Sequence, residues 1–141
     1  MKRFAQILSA FLFATILLAP SHVLSNSLNV STVFNEVESF IRNNNLEQLC
    51  QKLGDRVDLL INNEEKTLSK DQAKQLLVQF GKDNKISDFK MLHIGGKNMN
   101  HYGIGLLRTS NGNYRITLFL NIENSKTKKY AIQQLRVERD D

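Results

Sequence analysis

This 141-residue sequence contains one cysteine, one proline and no tryptophan. A single cysteine excludes an intramolecular disulfide, so the fold cannot rest on the disulfide framework of many small secreted domains. With 41% hydrophobic and 23% charged residues, the composition is that of an ordinary globular chain, and the length predicts one domain. Without a targeting segment, roughly 116 residues remain, enough to bury a core without metals or disulfides.

The lone cysteine, Cys50, lies in a helical pattern. Leu46, Leu49, Cys50 and Leu53 follow at i, i+3, i+4 and i+7, which predicts one buried stripe of a helix. A free cysteine on such a stripe is typical of a core thiol. We therefore interpret Cys50 as a packing residue and not as a nucleophile.

The basic excess is small and dispersed. The formal net charge of +5 falls to about +3 when Lys2 and Arg3, which lie in the apolar leader described below, are left out. One short basic run, residues 126–129, is typical of a solvated turn. Because nucleic-acid binding normally needs a basic face or run, we expect no nucleic-acid partner.

Motifs of catalysis are missing from the sequence. It has neither a glycine-rich phosphate loop nor a Gly-x-Ser-x-Gly elbow. Its three histidines are His22, His93 and His101, and two ligands on adjacent strands do not make a zinc site without further cysteines or clustered acids. We assign no catalytic residue, no metal and no cofactor from these motifs.

The only long apolar run is at the start. Met1-Lys2-Arg3 is followed by sixteen mostly apolar residues from Phe4 to Ala19 and then by small polar ones, the pattern of a secretory signal peptide. Cleavage after Ser25 fits best, and cleavage after Ser21 is an alternative. An uncleaved anchor is the other alternative, but a span needs about 20 apolar residues.

We therefore predict a signal peptide over residues 1–25, a polar lead-in over residues 26–29 and one domain over residues 30–139. We expect the protein to be periplasmic or secreted, with no membrane span after cleavage.

Three amphipathic helices are predicted before residue 87. The first carries an apolar stripe from Val30 to Ile41 and ends at Asn43-Asn44-Asn45. The second carries the Leu46–Leu53 stripe and ends at Gly54. Ser69 and Gln72 form a capping box that begins the third, whose buried stripe is Ala73, Leu76, Leu77 and Phe80.

Alternating apolar residues predict six strands. The last is expected to carry a β-bulge, because Ile132 and Leu135 are out of phase. The predicted strands are 56–62, a short return over 66–68, 89–94 closed by Gly95-Gly96, 101–109, 113–121 and 128–138.

Asn111-Gly112 predicts a two-residue type I′ hairpin, which needs positive φ at both positions and sets the register. In this register Arg108 lies opposite Arg115, a like-charge pair that an anion or a carboxylate such as Glu138 would offset. One face then meets the helices: Leu107, Tyr114, Ile116, Leu118 and Leu120. The opposite face holds Tyr102, Ile104, Leu106 and Phe119.

Each face has two interpretations. Gly103 and Gly105 on the helix side either let the sheet curve around a helix or leave room for a small ligand. The apolar cluster on the other face either binds a second copy or another envelope protein, or is covered by this chain itself.

The order of elements resembles the nuclear transport factor 2-like (cystatin-like) α+β roll, with helices packed on a curved antiparallel sheet. The chain is similar, more specifically, to the bacterial family called domain of unknown function 4783. The similarity covers roughly residues 30–138. It rests on Leu68-Ser69-Lys70-Asp71-Gln72-Ala73, Phe89-Lys90-Met91-Leu92-His93, His101-Tyr102-Gly103-Ile104-Gly105, Tyr114-Arg115-Ile116 and Ile132-Gln133-Gln134-Leu135-Arg136.

This resemblance implies an exported small domain, mostly from the Bacteroidota, with no assigned activity and no catalytic residues to transfer. The fold implies a conical pocket between sheet and helix. Its candidate lining residues here are Met91, His93, Gly103, Gly105 and Tyr114.

Two functions follow from this interpretation. The first is a non-catalytic binding or interaction module, dimeric through the outer sheet face. The alternative is a small-molecule enzyme of the isomerase or dehydratase type, with His93 as the base and Tyr114 near it. An enclosed cavity that holds His93 beside a second titratable group would favour the enzyme.

Overall fold

The structure, a computed structural model, describes residues 30–124, 126 and 129–141. The predicted signal peptide lies outside these residues and stays a prediction. None of the described helices is long and apolar enough to cross a membrane.

Helix α1 spans Val30–Arg42 and helix α2 spans Leu46–Gln51. The predicted asparagine turn between them is confirmed: Asn44 has φ of 54°, a conformation that asparagine tolerates at a helix end. The Asn45 side chain then accepts a hydrogen bond from the Gln48 backbone N–H at 3.4 Å and caps α2.

The second helix is shorter than the sequence predicted. It ends at Gln51, and strand β1 begins at Leu53, so Gly54 lies in a strand and does not terminate the helix. The expectation that Leu53 continues the helical stripe is wrong, although its side chain is buried. Both conformations bury this leucine, which is why periodicity alone could not separate them.

Helix α3 spans Lys70–Asp83, and the predicted capping box at its start is confirmed. The Ser69 hydroxyl accepts from the Gln72 backbone N–H at 3.3 Å, and the Gln72 side-chain carbonyl accepts from the Ser69 N–H at 3.1 Å. Ala73, Leu77 and Phe80 are buried as predicted. Leu76 is 38% exposed, so its assignment to the buried stripe is wrong.

The six strands form one curved, unclosed sheet in the order β2-β1-β6-β5-β4-β3. The strands are β1 Leu53–Ile61, β2 Glu64–Ser69, β3 Ile86–Lys97, β4 Asn100–Thr109, β5 Gly112–Asn124 and β6 Lys129–Arg139. Apolar side chains on one face of this sheet pack under α1, α2 and α3 and form the core.

The α+β roll predicted from the sequence is confirmed. The sheet differs from the prediction in being mixed, because β1 pairs with β6 in parallel. The chain returns to β1 with its last strand, so two segments far apart in sequence become neighbours. No local pattern specifies the direction of such a pairing.

The β3–β4 turn lies three residues later than predicted. Gly95 and Gly96 stay within β3, and Lys97 pairs with Asn100 across a turn at Asn98-Met99. The prediction that the two glycines close the strand is therefore wrong. Asn98, with φ of 58°, supplies the left-handed residue of the turn instead.

The β4–β5 register is shifted by two residues from the prediction. Thr109 pairs with Gly112 and Leu107 with Tyr114, so the turn is Ser110-Asn111. Only Gly112 has a positive φ there, which excludes the type I′ turn.

Tertiary contacts explain this shift. The Asn111 side-chain amide donates to the Asp83 carbonyl at 2.8 Å and to Asn84 Oδ1 at 3.1 Å, which ties the turn to the end of α3. A shift of two leaves every side chain on its predicted face. It also separates Arg108, now opposite Asn113, from Arg115, now opposite Leu106, so the predicted like-charge pair is wrong.

Candidate recognition surface

The helix-facing side of the sheet is filled where the sequence left room for a ligand. A Cβ at Gly103 would lie 2.6 Å from Cε1 of Phe34, and one at Gly105 would lie 2.6 Å from Cε2 of Phe89. Real Cβ contacts are longer than this, so two buried phenylalanine rings occupy the space. These glycines allow α1 and β3 to approach β4 closely.

The cavity between α2, α3 and the sheet is also small. Its volume is about 20 Å³, enough for one water, and its lining is apolar. Small-molecule sites usually measure roughly 300–1,000 Å³. The lining residues are Ile41, Leu46, Leu49, Leu77, Phe80, Ile86, Leu107, Ile116, Leu135 and Val137.

The five residues expected to line a pocket are separated. Met91 packs on the core beside Gly103. Tyr114 lies elsewhere on the inner face, with its ring edge-on to Phe80 at 5.1 Å between centroids and its hydroxyl 3.2 Å from Asn84 Oδ1. Both positions are packing positions in a filled interior.

His93 lies on the opposite face from Met91. Met91 pairs with Gly105 and His93 pairs with Ile104, so Leu92 is an extra residue that forms a β-bulge. The expectation that His93 and Met91 share a face is not met, because the bulge reverses the alternation of side chains. His93 Nε2 lies 3.2 Å from the Tyr102 hydroxyl on an exposed surface.

The outer face is the side of the sheet that the helices leave uncovered. At its centre lie the four residues predicted as an interface, and the structure places them on adjacent strands β4 and β5. The Tyr102 and Phe119 rings lie 6.2 Å apart between centroids, and Phe119 is 37% exposed. The other two, Ile104 and Leu106, are half-buried.

Charges of both signs flank this centre. Arg115 Nη2 lies 2.9 Å from Asp140 Oδ1, and Arg136 Nη2 lies 3.4 Å from Glu138 Oε1. Glu138 also lies directly opposite Arg115 across β5 and β6. A carboxylate therefore accompanies Arg115, although the like-charge pair that it was expected to offset does not form.

One end of the outer face holds an open cleft of about 430 Å³, which the sequence analysis did not identify. It brings together Tyr102 and Phe119 with side-chain amides from three strands, β4, β5 and β6. The doublet Gln133-Gln134, between the out-of-phase Ile132 and Leu135, was the available signal. The amide residues are Asn100, Asn121, Gln133 and Gln134.

Neither a metal-ligand cluster nor a reactive thiol is present in the part of the chain that the structure describes. Within those residues, no three His, Cys, Asp or Glu side chains cluster as metal ligands would. Burial raises the pKa of the Cys50 thiol from 9.0 to about 11, which disfavours the reactive thiolate. The two described histidines have different neighbours, since the His101 ring packs 5.8 Å from Tyr130.

A protein-family model for a domain of unknown function, number 4783, matches residues 34–138 of this chain. Comparison with curated proteins gives no match.

Solved structures give the same similarity. A family 4783 protein from Bacteroides uniformis is 31% identical, with a TM-score of 0.72 over 80% of this chain and 99% of that one. A second, from Bacteroides fragilis, is 32% identical, with a TM-score of 0.68 over 74% and 95%. An NTF2-like protein of unknown function from Cytophaga hutchinsonii shares the fold, with 9% identity and a TM-score of 0.57 over 79% and 90%.

Proposed function

We propose that this chain, which belongs to the family called domain of unknown function 4783, is an exported, non-catalytic module that self-associates through its outer sheet face. The observation that carries the proposal is the cluster of half-buried and exposed apolar side chains on that face. Exposed apolar clusters of this kind mark interaction sites in soluble proteins. The cluster consists of Tyr102, Ile104, Leu106 and Phe119.

The filled interior supports a binding role over an enzymatic one. An isomerase or dehydratase in this fold would need a cavity that encloses its base. The interior cavity measures about 20 Å³, and His93 lies outside it with the Tyr102 hydroxyl as its neighbour. Both groups lie on an exposed surface, where proton transfer gains nothing from a water-excluded site.

The charge pattern supports a second copy as the partner. In a two-fold symmetric interface the same patch meets itself, so it must carry groups that complement each other. The outer face meets this condition, because Arg115 and Arg136 lie beside Asp140 and Glu138. Rotation of one copy against another can place each arginine near a carboxylate while the apolar centres meet.

Export rests on the N-terminal pattern, which a signal peptidase would remove. The proposal therefore concerns the protein outside the cytoplasm, where its single buried cysteine needs no reducing environment.

Ile104→Asp tests self-association. A charge at the centre of an interface is desolvated without a partner, so we expect the dimer dissociation constant to rise at least about 30-fold, which corresponds to roughly 2 kcal/mol. Sedimentation equilibrium over a wide concentration range measures it. Circular dichroism checks that the variant folds.

Leu76→Asp is the matched control, because Leu76 is also an exposed apolar residue, at 38%, but lies on α3. It should leave the mass unchanged. A wild-type protein that stays monomeric at the highest concentrations, or an Ile104→Asp dimer as tight as wild type, would disprove the proposal.

A further inference from the structure

The cleft at one end of the outer face has a feature that a regular sheet cannot produce. Consecutive residues of a strand point to opposite faces, yet Gln133 and Gln134 both line this cleft. The cause is the predicted bulge in β6, which the structure confirms: Phe119 pairs with Gln134 and Leu120 with Ile132, so Gln133 is the extra residue. Bulges often redirect a side chain beside a functional site.

A glycine accommodates the redirected side chain. A Cβ at Gly54 would lie 2.8 Å from Nε2 and 3.1 Å from Oε1 of Gln133. Gly54 is buried in β1, next to β6. The missing side chain at this position thus leaves the room in which the Gln133 amide lies.

The side-chain amides of the cleft are available to a ligand. Among the described residues, none of the four side-chain amides forms a hydrogen bond to another group of the chain. Asn121, Gln133 and Gln134 are nevertheless half-buried. Each amide offers both donors and an acceptor, so the cleft presents several groups of both kinds to a ligand.

Two aromatic rings adjoin these amides. Tyr102 and Phe119 line the cleft with ring planes tilted by 40°. The one carboxylate of the lining, Asp58, already accepts a hydrogen bond from the Thr67 hydroxyl at 2.6 Å. Among the described residues, no lysine or arginine lines the cleft, so it does not favour an anionic ligand.

We propose that this cleft binds a neutral saccharide unit, with the sugar ring against Tyr102 and Phe119 and its hydroxyls bonded to the amides. Hydroxyl groups both donate and accept, as side-chain amides do, and the apolar face of a sugar ring suits an aromatic surface. The cleft volume of about 430 Å³ lies within the usual range for small ligands.

An extended peptide fits this position less well. Peptides add to sheets along a free edge, where backbone groups are unpaired. The cleft lies over β4, β5 and β6, whose backbones are paired with one another in the interior of the sheet. Recognition here depends on side chains alone.

The test is a titration of the purified protein, followed by NMR, with neutral oligosaccharides of glucose, mannose and N-acetylglucosamine. A glycan array that also carries acidic glycans extends the panel. We expect at least one neutral glycan to shift the signals of cleft residues, and Phe119→Ala and Asn121→Ala each to weaken its binding about tenfold or more. Binding of acidic glycans alone, shifts that map elsewhere, or no neutral glycan bound would overturn the proposal.

Gly54→Ala tests the role of Gln133 without touching the cleft surface. The added methyl should displace the flexible Gln133 amide, lower saccharide affinity about threefold to tenfold, and change the melting temperature little. In a Gln133→Ala background the same substitution should have no further effect. An equal loss in both backgrounds would contradict the positioning of Gln133 by Gly54.

This site shares Tyr102 and Phe119 with the surface proposed for self-association, so a second copy and a saccharide would compete for these rings, but the saccharide proposal does not rest on self-association. Ile104 does not line the cleft. Ile104→Asp should therefore raise the dimer dissociation constant at least about 30-fold and keep saccharide binding, so either proposal can fail while the other stands.

Discussion

The two faces of the sheet are built from the same strands but differ in what covers them. On the inner face of β4, Gly103 and Gly105 lie beneath the rings of Phe34 and Phe89. On the outer face, Tyr102 lies over Gly95 and beside Phe119, and none of the described helices covers them. Aromatic rings pack on glycines on both faces, but only the inner ones are enclosed.

We expect this difference to separate residues that stabilise the fold from residues that bind a partner. A ring enclosed by the core contributes through full burial and close packing, so its loss leaves a cavity. An uncovered ring contributes little to folding and keeps its apolar surface for a partner. The following substitutions test this division, in decreasing order of their expected effect on stability.

Phe34→Ala against Phe119→Ala compares the two rings directly. Phe34 has no exposed surface, and its truncation should lower the free energy of unfolding by about 3–5 kcal/mol. Phe119 is 37% exposed, and its truncation should cost less than about 1 kcal/mol. Urea denaturation, at protein concentrations too low for self-association, measures both free energies of unfolding.

If Phe34→Ala does not fold, Phe34→Leu provides a smaller cavity and a measurable loss. Equal losses at positions 34 and 119 would mean that the outer ring is also structural.

The pair Gly105→Ala and Gly95→Ala compares the two faces of the sheet by adding a methyl group instead of removing a ring. A methyl at Gly105 would lie 2.6 Å from Cε2 of Phe89 and 2.9 Å from the Lys90 carbonyl, so the core must shift, at a cost of about 1–3 kcal/mol. The three atoms nearest to a methyl at Gly95 all belong to the end of the Tyr102 side chain, which can rotate toward solvent. We expect a change within about 0.5 kcal/mol there. Thermal melts measure both variants, and a larger loss at Gly95 than at Gly105 would contradict the comparison.

Thiol labelling compares the accessibility of the core with that of the outer face. The substitution that it needs should change stability little. Burial raises the pKa of Cys50 from 9.0 to about 11, so at pH 8 the native protein holds about 100-fold less thiolate than an ordinary cysteine. A thiol introduced on the outer face by Thr117→Cys should react with iodoacetamide far faster. Peptide mass spectrometry distinguishes the two sites.

The same pKa has a consequence for stability. Above pH 9 the unfolded thiol loses its proton while the folded one keeps it, so stability should fall as the pH rises from 9 toward 11.

Rapid labelling of native Cys50 at pH 8 would contradict the assigned burial. Protection of the introduced thiol in the Thr117→Cys variant at high protein concentration would support self-association through the outer face.

Much of the fold could be predicted because its signals are local. The Ser69–Gln72 capping box, the asparagine turn after α1 and the bulge between Ile132 and Leu135 are all encoded within a few residues, and all are confirmed. The face assignments for β4 and β5 also hold, since a register error of two residues preserves the alternation of side chains.

The site could be predicted only in part. The aromatic and aliphatic residues of the outer face follow from alternation along β4 and β5. The amide cluster does not, because it depends on how β4, β5 and β6 pair and on the direction in which the β6 bulge turns Gln133. The type I′ turn was also misplaced. Such a turn needs positive φ at both central residues, and that pair occurs at Asn62-Asn63 and not at Asn111-Gly112.

By itself, the sequence determined the elements, their caps and the side of each strand that is apolar, because these properties depend on neighbours within one or two turns of chain. The tertiary structure alone decided on which face His93 lies, which strand lies beside β1, and how Asn111 is held against the end of α3. Each of these depends on hydrogen bonds and packing between residues distant in sequence, whose free energies no local pattern records.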